Sequence, residues 1–199
     1  MAQWTVCAMA SVLAALLTQS GWALAGAKPR EVGRTYWELI PEMEVWLRLV
    51  PEDAEGKPTL VNLVFHAFFP GRAKREPYSL LPQWPKGEPA RLTLSAEPTA
   101  LTMNRELVLR LVIDDRTIDL TAPGKYRTLP CLVATDDCWP NAVEAELDAA
   151  VLRSLASAKS VTGVALGFPI KLAAADQDAI RAFAAKAGIV EDTEPDRRR

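Results

Sequence analysis

Few side chains in this chain are equipped for chemistry. There is one histidine, His66, so every metal or catalytic site that requires two imidazoles is excluded. A Ser–His–Asp arrangement would have to use His66 as its base. The nucleophile would be Ser79, Ser95, Ser154, Ser157 or Ser160, and no spacing selects among them. No serine stands in a G-x-S-x-G turn. No glycine run has the G-x-G-x-x-G or G-x-x-x-x-G-K-[ST] spacing that cradles phosphate. His66 alternates in register with Asn62, the setting of a hydrogen-bonded sheet histidine rather than of a general base.

Carboxylates gather in two places. Asp114, Asp115 and Asp119 surround one turn, and Asp136 and Asp137 lie between two cysteines. Such acids could hold Ca²⁺, but the D-x-[DN]-x-[DN]-G loop is absent, and turn aspartates ordinarily bond the backbone beside them. No carboxylate pair carries a glycosidase signature. No metal and no cofactor is expected.

Six residues separate Cys131 from Cys138, whereas redox-active pairs are typically C-x-x-C. Two cysteines and one distant histidine do not complete a zinc site. The pair reads as a structural disulfide, worth about 2–3 kcal/mol by loop-closure entropy. That reading needs an oxidising compartment, and the N-terminus supplies a route to one. Residues 1–27 contain no charged side chain. Ala8 to Leu17 is an apolar run, and Ala23-Leu24-Ala25 forms an A-x-A cleavage site before Gly26. The expected organisation is a signal peptide over 1–25, one domain over 26–190 and a charged tail over 191–199. The apolar run is short of the roughly 20 residues of a span, so no integral membrane span should remain after cleavage. The leader lacks a basic start, the first cation being Lys28. The alternative is therefore an uncleaved anchor, which Lys28, Arg30 and Arg34 would orient.

Two loops stand out as recognition segments. Residues 72–89 carry a basic group, Arg72, Lys74 and Arg75, with Tyr78 and Trp84 among prolines. Long irregular loops of this kind often bind, the aromatics giving contact area and the cations attracting an anionic partner. The cysteine loop carries Asp136, Asp137 and Trp139, and a tether lowers the ordering cost of binding. Each loop has a plain structural alternative, a flap over a sheet edge and a stapled turn plugged by its tryptophan.

The elements that must position these groups alternate with period two. Val45, Leu47 and Leu49 form one apolar face, and Val61, Leu63, Phe65, Ala67 and Phe69 form another. Leu107, Leu109, Leu111 and Ile113 lead through Asp114-Asp115-Arg116 to Thr117–Thr121, a hairpin. Further strands are expected over 90–96, 126–135, 143–147 and, with glycine interruptions, 161–172. Helical spacing appears only near the end: a short helix after Asp148 stopping near Lys159, and another from Ala174 to Ala187. Strand after strand implies antiparallel pairing, and eight to ten short strands need two packed sheets. The fold expected is mainly β, an antiparallel β-sandwich with a small C-terminal α/β appendage of two short helices.

Composition agrees with a folded body. Hydrophobic residues make up 49% of 199 and charged residues 24%, ordinary globular values. With 23 Lys and Arg against 25 Asp and Glu, the net charge of −2 gives no field for general nucleic-acid binding. The expectation is an exported, periplasmic or secreted, non-enzymatic binding or envelope accessory protein. Its partner would be an unknown protein or an anionic envelope component. The alternatives are a small exported hydrolase and a membrane-tethered accessory subunit.

Overall fold

The computed structural model describes residues 29–37, 42–70, 87–99, 106–129 and 142–190. Ten strands and two helices follow in order: β1 (Val32–Trp37), β2 (Glu42–Leu49), β3 (Val61–Pro70), β4 (Arg91–Pro98), β5 (Leu109–Ile113), β6 (Arg116–Asp119), β7 (Tyr126–Leu129), β8 (Ala142–Glu146), α1 (Ala149–Ser157), β9 (Val161–Ala165), β10 (Phe168–Lys171) and α2 (Ala174–Lys186). The chain is mostly β, with its two short helices near the C-terminal end, as alternation and the late change to helical spacing imply.

Among the described residues, every strand pairing is antiparallel. One sheet has six strands in the order β1-β2-β3-β4-β8-β7, and the other has four in the order β10-β9-β5-β6. The backbone of Glu52 joins them at a corner: its N–H donates to the Lys171 carbonyl (2.9 Å) and its carbonyl accepts from the Lys171 N–H (2.7 Å).

The alternating residues do what their spacing requires. Val45, Leu47 and Leu49 of β2, Leu63, Phe65 and Ala67 of β3, and Leu94 and Ala96 of β4 are all fully buried on one face. They share a single core with Leu109, Leu111 and Ile113 of β5 and with Leu152, Leu155, Ile180 and Phe183 of the helices. The rings of Phe65 and Phe183 meet with centroids 5.8 Å apart, which seats α2 on the apolar side of the six-stranded sheet. Burying side chains of this size is worth about 1.5–3 kcal/mol each before the entropy of ordering them.

Three local readings change. β1 is not among the strands that alternation implies: Val32 to Trp37 alternates weakly, and Gly33 interrupts it. The reason for that glycine lies in β2, because a Cβ at Gly33 would fall within the Trp46 indole ring that lies across it. The expected interrupted strand over 161–172 is instead a hairpin. Its two turn residues, Leu166 and Gly167, have φ of 51° and 78°, the left-handed pair that a type I′ turn demands. Leucine rarely takes that conformation. Here Leu166 is fully buried and its N–H donates to the Val108 carbonyl (2.7 Å). Third, Asp148 precedes α1 as expected, but its side chain makes no cap hydrogen bond.

Among the described residues, no helix is long and apolar enough to cross a membrane.

Candidate functional site on the polar face of the six-stranded sheet

The second face of the six-stranded sheet follows from the same alternation. Side chains between the core-facing ones emerge together, and antiparallel register lines them up across strands. One row runs Trp46, His66, Thr93 and Glu146; the next runs Arg48, Val64, Ser95, Glu144 and Arg127. Asn62 stands opposite Glu97 one row further on. The sequence implies a face partly covered or wet. Its centre is buried: Asn62, His66, Thr93, Ser95 and Glu44 are all below a tenth exposed, and Val64 is fully enclosed.

Polar groups at such depth should be hydrogen-bonded. His66 Nδ1 is bonded to Glu44 Oε1. A carboxylate only accepts, so Nδ1 carries the proton and Nε2 is directed elsewhere. Burial alone would press the His66 pKa down. The hydrogen bond and charge of Glu44, with more distant help from Glu97 and Glu144, outweigh burial and hold it above its ordinary value. Burial raises the Glu97 carboxyl above its ordinary value, against the opposing pull of His66 and Arg48. His66 also stacks on Phe68 (centroids 5.8 Å, planes 11° apart), and the Arg91 guanidinium lies 4.0 Å from the centre of the Phe68 ring.

Among the described residues, three buried atoms of this face have no hydrogen-bond partner: Asn62 Oδ1, Thr93 Oγ1 and Ser95 Oγ. Leaving a buried polar atom unpaired costs about 1–3 kcal/mol, so three in adjacent rows mark the face as unlike the rest of the fold. Towards β8 and β7 it opens into a cavity of about 210 Å³, lined by Arg91, Thr93, Lys125, Arg127, Glu144 and Glu146 among others. Two nitrogens of Arg127 reach Glu144 Oε1, Nε at 3.0 Å and Nη2 at 2.7 Å.

Of the residues singled out in the sequence, His66 and Ser95 meet on this face. Neither Ser95 nor Thr93 donates to the imidazole, so neither forms the base-to-nucleophile contact of a triad, and Ser79 lies outside the described residues. Ser154 and Ser157 are spent on α1, their hydroxyls donating to the carbonyls of Ala150 and Arg153 (both 2.9 Å). Two acids of the β5–β6 hairpin are engaged in hydrogen bonds within the fold, one to a distant backbone segment and one beside its own strand. Asp114 Oδ1 accepts from the N–H groups of Lys159 and Ser160 (both 3.0 Å), and Asp119 pairs with Arg110 (3.0 Å) and caps Thr121. Among the described residues, no three His, Cys, Asp or Glu side chains are grouped to hold a metal.

The candidate recognition residues Arg72, Lys74, Arg75, Tyr78, Trp84, Asp136, Asp137 and Trp139, the pair Cys131 and Cys138, and the leader and tail all lie outside the described residues. Sequence reasoning missed Thr93, Glu44, Glu144, Glu146 and Arg91. Their signal was the strand register, which places them opposite or diagonal to His66 and to each other. No protein family, curated protein or solved structure matches this chain.

Proposed function

We propose that this chain is an exported, non-enzymatic binding protein that holds its ligand on the polar face of the six-stranded sheet. One observation carries the reading. Thr93, whose buried hydroxyl is unpartnered among the described residues, forms part of the wall of a charged cavity, and Ser95, with a second such hydroxyl, stands in the adjacent row, so polar groups continue from the sheet interior to a surface opening. Export rests on the apolar leader with its A-x-A site and on the cysteine pair.

A hydrolase is the second reading, and one observation favours it: the Glu44–His66 pair orients an imidazole as a triad carboxylate does. Its weakness is that, among the described residues, no hydroxyl is bonded to the imidazole. The test expresses the full chain with its own leader and recovers the exported fraction. The product should begin at Gly26 and have Cys131 joined to Cys138. It should gain thermal stability from small polar ligands, with no turnover of ester, amide or glycoside substrates beyond that of His66→Gln. An intact intracellular chain with reduced thiols, or turnover that vanishes in His66→Gln, would overturn the proposal.

A further inference from the structure

The geometry points to the ligand class: we infer that the cavity between β4, β8 and β7 binds a small zwitterion of amino-acid size. Its carboxylate would lie on Arg91 and Lys125 and its ammonium on Glu146. This rests on the reading of the polar face as a binding surface.

Arg127 and Glu144 neutralise one another at one wall. At the other, Arg91, Lys125 and Glu146 line the same cavity, and none of these three is ion-paired with another of them. They are close in register: Glu146 stands opposite Thr93, the next residue but one from Arg91 on β4. Its N–H donates to the Lys125 carbonyl (3.3 Å), so Lys125 flanks it on the β7 side. Two cations and one anion around a small cavity leave a net charge of +1. A lone cation is disfavoured there, while a carboxylate and an ammonium on one small molecule match both signs.

Arg91 is also pre-positioned. Its guanidinium sits on the Phe68 ring, which in turn stacks on His66, so less side-chain freedom is lost when an anion arrives. Thr93 forms part of the wall, and its buried hydroxyl has no protein partner. Size limits the ligand. A volume near 210 Å³ falls below the roughly 300–1,000 Å³ of pockets for drug-sized molecules, which suits a free amino acid rather than a peptide or sugar chain.

The experiment is an amide NMR titration of the full exported chain with glycine, L-alanine, L-serine, acetate, methylammonium and inorganic phosphate. Saturable shifts of the Gly124, Lys125 and Arg127 amides are expected with an amino acid, with acetate and methylammonium at least about tenfold weaker. Arg91→Ala and Lys125→Ala should each weaken amino-acid binding by about tenfold. Glu146→Gln, a change at an exposed position that leaves the fold intact, should erase the preference for an amino acid over acetate. Phosphate or acetate binding as tightly as every amino acid would overturn the inference, as would the absence of saturable shifts. Either result leaves the broader proposal to its own test, since export and His66-dependent turnover are read without the cavity.

Discussion

Arg30 Nε donates to Asp176 Oδ1 across 2.7 Å, joining a residue two positions ahead of β1 to the first turn of α2, 146 positions later. Asp176 is fully buried and its second oxygen accepts from the Ala173 N–H (2.9 Å), so one carboxylate both caps α2 and fastens the start of the folded body to it. Arg30 adopts φ of 69° to make this contact, and its own N–H donates to the Arg48 carbonyl (2.9 Å). Removing the carboxylate should therefore cost more than removing the cation. Asp176→Ala is expected to lose about 2 kcal/mol through the cap and the ion pair together. Arg30→Ala should lose about 1 kcal/mol, a figure already discounted for solvent because the guanidinium is 42% exposed. Urea denaturation of both variants measures the order, and equal losses would mean that the cap contributes nothing.

The polar face makes stability depend on pH in one direction. His66 and Glu97 both hold protons more tightly in the folded chain than in the unfolded one. The folded state then binds more protons, and stability falls as pH rises. The Glu97 contribution is intact below its ordinary value of 4.5 and is lost as pH rises through its higher folded value. The His66 contribution is intact below 6.5 and is lost above it in the same way. Denaturation midpoints measured from about pH 4 to about pH 9 should decline, with His66→Gln flattening the upper part and Glu97→Gln the lower. A midpoint that climbs between pH 7 and pH 9 in the wild type, and not in His66→Gln, would contradict the protonated pairing of His66 with Glu44.

Gly163 is required by its neighbour rather than by its own dihedral angles. It pairs with Leu111 across β9 and β5, and a Cβ there would collide with the Arg110 carbonyl oxygen. Backbone cannot rotate aside as a side chain can. Gly163→Ala should destabilise the chain by about 1–3 kcal/mol, the range for forced overpacking. Gly124→Ala makes a useful contrast, since nothing lies near its missing Cβ and only its φ of 81° resists the change. Thermal melts of the two variants should rank Gly163→Ala as the more damaging.

The apolar half of this architecture was legible because its signal is local. Leu63, Phe65 and Ala67 announce a buried face by alternation alone, and the same rule places Asn62 and His66 together behind it. What alternation cannot supply is the neighbour. Glu44 lies 22 residues before His66, and Thr93 lies on a strand whose register no local pattern determines. The site is a property of pairing among β2, β3, β4 and β8, so its members carry no common spacing. The missed turn at Leu166 has a different cause: burial at that position overrides the backbone preference that turn chemistry is read from. The sequence also drew attention to charged and aromatic loops, and those lie outside the described residues.

With residues 1–25 removed, Cys131 and Cys138 are the remaining cysteines, so an oxidising compartment offers one internal pairing. The exported product should have a mass two protons below that of its reduced form and should resist alkylation until a reductant is added. Replacing both cysteines with serine should lower stability by about 2–3 kcal/mol, the loop-closure value for so short a segment. Binding measured at the Arg91–Lys125–Glu146 cavity should persist in that variant at temperatures where it stays folded, because the described residues that line it belong to β4, β8, β7 and the turn just before β7. Free thiols in the exported protein would remove the compartment reasoning at its root, whatever the cavity binds.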